Sequence, residues 1–258
     1  MSKTDSPVVI VTGGGRSIGK ALALGFGREG YRLAVASPTQ SRNEAVAKEI
    51  LDAGGEALPV QLDVSQEQAV DDVVNRLVQQ FGRLDVLVNN AALKPGFVPA
   101  EQRLLKDLPL ATWQRVLDVN ITGAFLCAKA CANVMIPQGR GSIINVSTLS
   151  AVNPREGEPA YAVTKAALNM LTKVQAMEVG KLGIAVNCMA VTYSLNEEEA
   201  ARMAPQQRSR AMKPEAWVPI ALHLARVNPS EASGEIFNAR EWNAANGHGG
   251  PEVWSWGA

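Results

Sequence analysis

Thr12-Gly13-Gly14-Gly15-Arg16-Ser17-Ile18-Gly19 follows the apolar run Val8 to Val11 and leads directly into KALALGFGREG, a stretch of helical period from Lys20 to Gly30. Strand, glycine turn and helix stand in the order that a phosphate site requires. Glycine lets a backbone approach a phosphate closely, and the free amides and positive dipole end of the following helix stabilise its charge. An ordinary βα turn has the same outline, so the rest of the chain must decide between the two.

Working outward, short apolar runs recur at Val8 to Val11, Leu33 to Ala36, Ala57 to Leu62, Leu84 to Val88, Ser142 to Val146 and Ala185 to Ala190. Their continuous apolarity predicts strands buried on both faces. Between them lie helix-period segments at Ile18 to Arg28, Arg42 to Ala53, Gln66 to Phe81, Trp113 to Met135 and Ala160 to Lys181. This alternation predicts an α/β fold, a parallel sheet with helices on both faces. Gly30, Gly54-Gly55, Gly82 and Gly183 fall just past periodic stretches, as helix C-terminal turns favour. The 258 residues suit one domain, with its core over 6–240 and a tail, 241–258, that loses periodicity.

Lys plus Arg and Asp plus Glu are equal at 25 each, so no net field draws nucleic acid or an anionic membrane. No secretory leader and no run of about 18 apolar residues is visible, which predicts a cytoplasmic protein. Cys127, Cys131 and Cys188 cannot all pair and read as reduced core residues, and with only His223 and His248 beside them no metal site is expected.

Tyr161 and Lys165 stand four residues apart at the start of a helix that opens near Pro159, so phenol and ammonium share a face. A nearby cation stabilises tyrosinate and should bring the phenol pKa down from about 10 toward neutrality, making Tyr161 a proton-transfer group. Asn120, in an otherwise apolar helical run, needs buried partners. Thr148 ends the fifth strand; Ser147 is a rival hydroxyl that strand alternation points to the other side.

Taken together, T-G-x-x-x-G-I-G, Asp63-Val64, Asn89-Asn90-Ala91-Ala92 and Y-x-x-x-K, with a hydroxyl thirteen positions before the tyrosine, resemble the short-chain dehydrogenase/reductase family from Val8 to about Phe237. The resemblance implies a single Rossmann-type doubly wound sheet and a tetrad of Asn120, Thr148, Tyr161 and Lys165. It implies a nicotinamide dinucleotide held by Gly13, Gly15, Arg16, Ser17, Ile18 and Gly19, with Asp63 and Val64 at the adenine and Asn90 and Ala91 along the wall. Asp63 is otherwise read as an acidic neighbour of a helix N-cap. Five departures stand out: Ser17 in place of the middle glycine, Ala92 where the family usually has glycine, threonine rather than serine at 148, Val191-Thr192 in place of Pro-Gly, and a rebuilt C-terminus.

The second strand ends Val35-Ala36-Ser37-Pro38-Thr39, without the carboxylate that binds ribose hydroxyls in NAD enzymes. Arg16, Ser37, Thr39 and Arg42 can donate to a 2′-phosphate, so NADP(H) is favoured over NAD(H). The expected reaction interconverts a small-molecule carbonyl and alcohol, with Leu93, Lys94, Leu149, Val152, Arg155 and Tyr193 facing the substrate and Thr192 offering a hydroxyl to the cofactor. The departures also admit a lyase, an isomerase or a cofactor sensor on the same fold. Trp242, Trp254 and Trp256 are expected to cover the substrate opening, a neighbouring subunit or the chain's own helices. The resemblance further implies a homodimer or homotetramer joined through the two long helices.

Overall fold

The computed structural model describes residues 6–256. Seven parallel strands form one sheet in the order β3-β2-β1-β4-β5-β6-β7. They are β1 (Val8–Thr12), β2 (Arg32–Ser37), β3 (Glu56–Gln61), β4 (Val86–Asn89), β5 (Gly141–Thr148), β6 (Ile184–Val191) and β7 (Ile236–Asn238). Five are buried along their whole length or nearly so, as their unbroken apolarity requires. β3 departs from the expectation: it is the sheet's edge, and Val60 is its one buried residue.

Helices cover both faces. On one, α1 (Ser17–Arg28) and α2 (Gln40–Asp52) bury Leu22, Phe26, Val46 and Ile50 against β1 and β2. On the other, α3 (Glu67–Phe81) lays Val70, Val74 and Leu77 beside Cys127, Cys131 and Met135. The expected helix from Trp113 to Met135 is broken into α4 (Leu110–Leu117), a π-turn at Asp118–Thr122 and α5 (Gly123–Gln138). The extra residue of a π-turn rotates the chain locally, and here it turns the Asn120 side chain inward, where it is 1% exposed. The stretch Leu110–Gln138 is long and apolar enough by composition to cross a membrane, and half of it is buried as a core element.

Helix α6 (Pro159–Val179) packs on β5 and β6. Beyond β6 come α7 (Glu197–Ala201), α8 (Pro205–Arg208) and α9 (Val218–Leu224), and after β7 the tail forms α10 (Ala239–Ala245) and α11 (Pro251–Trp254) rather than an aperiodic coil. The three cysteines are free and buried. Among the described residues no cluster of His, Cys, Asp and Glu suits a metal ion.

The strand order reverses between β1 and β4, which opens a crevice at the C-terminal ends of the strands. Gly13, Asn90, Thr148 and Thr192 all lie there, each at or just past the end of its strand.

Candidate active site

The glycine turn is locked to the neighbouring strand end. The Thr12 hydroxyl donates to the Val88 carbonyl at 3.1 Å and accepts from the Asn90 and Ala91 amides at 3.0 and 3.1 Å. Asn90 returns its side-chain amide to the Thr12 carbonyl at 2.9 Å. A Cβ on Gly19 would sit 2.1 Å from the Gly13 carbonyl oxygen, so helix and turn touch where only glycine fits. Ile18 and Val64 are buried packing residues, Val64 against Gly123.

The residues present fit a dinucleotide. No intrahelical carbonyl is available to the first amides of α1, and its N-cap residue, Arg16, leaves them uncapped. Ser17 adopts φ +47°, the one positive φ outside glycine among the described residues, and its buried hydroxyl has no partner. The Thr192 hydroxyl is buried and unpartnered too. Two orphaned hydroxyls at one crevice are what a polar ligand would satisfy.

Several expected contacts are arranged differently. Asp63 is engaged by Ser65 and by Arg115, whose guanidinium donates to it at 2.7 Å. Desolvation works against the carboxylate, yet these hydrogen bonds hold its pKa below the usual value. The N-cap of α3 is Gln66, and Asp63 closes a turn before it. The Ser37 hydroxyl is buried and donates to Asn43, which also ties Ser37 and Val60 carbonyls together at 2.9 and 2.7 Å. Ser37 therefore has no hydroxyl proton left for a phosphate. Arg42 and Thr39 remain exposed at the start of α2, while the positive charge of Arg16 disfavours the charged form of Lys94.

At the other end of the crevice, the Thr148 hydroxyl accepts the Ser150 amide at 3.4 Å and stands close enough to the Tyr161 phenol to act on its pKa. The Lys165 ammonium lies 5.9 Å from the Tyr161 ring centroid and donates to the Val146 carbonyl at 2.7 Å. Burial pulls Lys165 down to about 8, with Cys188 opposing and Lys94 adding to the effect. The expected lowering of Tyr161 does not occur: burial and the Glu158 charge push the phenol up to about 12, against the lowering effect of Thr148. The cation's pull fails to dominate because the ammonium is turned to a backbone carbonyl rather than to the phenol.

Ser147 is buried with its hydroxyl donating to the Lys165 carbonyl at 3.3 Å, on the opposite side of the strand from Thr148, as alternation requires. Asn120 accepts from the Leu93 amide at 2.7 Å and donates to the Leu93 carbonyl and the Thr164 hydroxyl at 3.1 and 3.2 Å. Thr164 in turn donates to the Tyr161 carbonyl at 2.8 Å, so Asn120 joins the loop after β4 to the first turn of α6. Asn120 makes no direct contact with Lys165.

Behind this cluster runs a polar row that the sequence reading missed. Asn89 donates to Asn145 at 3.0 Å, and Asn145 to Thr172 at 2.9 Å, stitching β4, β5 and α6 together beneath the crevice. Two asparagines inside apolar strand runs were the available signal. Glu158, the N-cap of α6, also went unnoticed; one of its carboxylate oxygens is buried without a partner.

The expected substrate-facing residues split. Leu93 and Leu149 are half-buried, whereas Val152, Arg155 and Tyr193 line the open side, Tyr193 with its hydroxyl 3.2 Å from the Met203 sulfur. Val191 points into the core, leaving Thr192 as the member of that pair that faces outward. The segment 192–213 is clasped by the tail: Met212 bridges Ser194 and Ser255, and Trp256 donates its indole N–H to the Leu195 carbonyl at 3.0 Å. Trp242 stacks between His223 and His248, and Trp254 donates to the His248 carbonyl at 2.7 Å. Two tryptophans thus pack on the chain's own helices and the third on the segment beside the crevice.

Comparison with known proteins agrees with this layout. The sequence is 34% identical to a 3-oxoacyl-[acyl-carrier-protein] reductase of Synechocystis sp. over 248 residues, 92% of this chain and 97% of that protein. It is 34% identical to glucose 1-dehydrogenase 2 of Bacillus subtilis over 79% of this chain and 78% of the relative. It is 31% identical to a fluoren-9-ol dehydrogenase of Terrabacter sp. over 96% of this chain and 74% of that one. The pattern of the short chain dehydrogenase family matches residues 7–205, and the chain belongs to that family of nicotinamide-dependent oxidoreductases.

Proposed function

We propose that the protein is an NADP(H)-dependent oxidoreductase that interconverts a carbonyl and a secondary alcohol, with Tyr161 exchanging the proton. The observation that carries this reading is the placement of buried Lys165 5.9 Å from the Tyr161 ring, with the Thr148 hydroxyl acting on the same phenol, at the crevice where the glycine turn lies. The dinucleotide, when bound, supplies or accepts the hydride.

The chain's own residues do the rest. Thr148 and Tyr161 offer hydroxyl protons to a substrate oxygen, polarising a carbonyl before reduction. With the phenol pKa at about 12, Tyr161 is protonated at neutral pH and is poised as an acid, which favours the reductive direction. Lys165, near 8, is still mostly an ammonium there and stabilises negative charge as the phenol gives up its proton. Asn120 positions the turn that carries Tyr161.

Preference for NADP(H) rests on the absence of a carboxylate at the end of β2 and on Arg42, which has no ion pair among the described residues and stands beside the turn: a Cβ on Gly15 would lie 3.0 Å from the Arg42 Cβ. Phe125, Met170, Val174 and Met177 are exposed on the outer faces of α5 and α6, consistent with a homodimer or homotetramer paired through those helices. On this reading the chain works in the cytoplasm as one dinucleotide-binding unit.

The test is an NADPH fluorescence titration followed by a screen of ketones and aldehydes at the absorbance of the reduced nicotinamide. Tyr161→Phe is expected to lower kcat by about 10²–10⁴-fold with NADPH affinity unchanged. Undiminished turnover in that variant, or tight binding of NADPH with no turnover by the parent protein, sinks the mechanism.

A further inference from the structure

We infer that Lys94 makes the crevice selective for carbonyl substrates that carry an anionic group close to the reacting carbon. The inference rests on the carbonyl–alcohol reading above and adds a substrate class to it.

Lys94 and Tyr161 border the same small cavity, with Glu158 and Arg103 also on its lining, so the lysine stands on the loop beside the tyrosine. Its position is fixed from both ends. Asn120 grips the amide and carbonyl of Leu93, Pro95 follows, and the Lys94 carbonyl accepts from Phe97 at 2.8 Å. The ammonium itself has no carboxylate within ion-pair distance among the described residues. Lys94 keeps exposed surface, yet its surroundings withdraw enough water to lower its pKa, and Arg16 lowers it further; Glu199 alone pulls the other way. Glu199 is already engaged, accepting the Asn196 amide at 3.0 Å in the capping box of α7.

A cation with no ion pair among the described residues, on the loop that borders Tyr161, offers a substrate anion a counter-charge beside the reacting groups. The dinucleotide's phosphates have another destination, the uncapped amides of α1 with Arg16 and the Ser17 hydroxyl. Arg155, exposed like Tyr193 and acting electrostatically on its phenol, also has no ion pair among the described residues. Two cations without ion pairs among the described residues, with the phosphate turn provided for separately, leave the anion to the substrate.

The experiment compares 3-oxobutanoate with its neutral ethyl ester, using NADPH, in the parent protein and in Lys94→Gln and Lys94→Arg. The parent should favour the acid by about tenfold or more in kcat/KM, which corresponds to about 1.4 kcal/mol. Lys94→Gln should lose that preference chiefly through the KM of the acid, which should rise far more than that of the ester, with the NADPH Kd unaffected, and Lys94→Arg should keep it. Equal losses on acid and ester, or a weakened NADPH Kd with the preference intact, would overturn the inference. Turnover of the ester with no preference for the acid defeats this inference alone; no turnover of either probe, or of simple ketones, defeats the oxidoreductase reading with it.

Discussion

The two ends of the crevice are made of different materials. At the phosphate end the fit is set by backbone: Gly13 and Gly19 in contact, Thr12 and Asn90 clasping the strand ends, free amides at the start of α1. At the reaction end it is set by side chains delivered from β5, α6, the loop after β4 and a segment held down by the tail. A backbone site tolerates almost no added atom. A side-chain site tolerates substitution but shifts its chemistry.

The sharpest way to break this contrast is Gly19→Ala. One methyl directed at the Gly13 carbonyl should cost about 2–3 kcal/mol of stability and sharply weaken NADPH binding, as a thermal melt and a titration would show. A variant with unchanged Tm would mean that the turn is not rigid. At the reaction end, Trp256→Ala removes the hydrogen bond to Leu195 and the packing on Ala200 and Ala211. The expected result is a several-fold rise in substrate KM with the NADPH Kd unchanged, since the phosphate end shares none of these contacts. Parallel changes in both constants would erase the distinction between the ends.

Glu158→Gln is the mildest probe. The carboxylate raises the Tyr161 pKa, so its removal should lower it, moving the rise in alcohol-oxidation kcat/KM to lower pH. The other groups around Tyr161 are Thr148, Lys165 and, on the shared cavity, Lys94 and Arg103, and none of them changes in this variant. An unmoved or alkaline-shifted profile would show that Glu158 does not act on the phenol.

The glycine turn, which we propose holds the phosphates, was legible as a strand–turn–helix unit because it depends on local chain order. The pairing of Tyr161 with Lys165 was legible for the same reason, being one helical turn apart. Asn120 was readable as a polar residue that needed partners, but not as the core of a π-turn gripping Leu93, which lies 27 positions away. Ser37 looked like a free hydroxyl because the Asn43 that claims it is a second polar residue whose burial only the packing of α2 on β2 reveals. The tail read as aperiodic because its helices are too short to carry a period.

Sequence alone thus determined the alternation that makes a parallel sheet, the turn at its first strand and the family of reaction, all of which follow from residue types at fixed spacings. Tertiary structure decided which charges meet: that Lys165 faces a backbone carbonyl, that Glu158 stands by Tyr161, that Asp63 belongs to Arg115, and that Lys94 has no ion pair among the described residues. Desolvation and Coulomb interaction depend on distances through space, and spacing along the chain carries them only within a turn or two of helix.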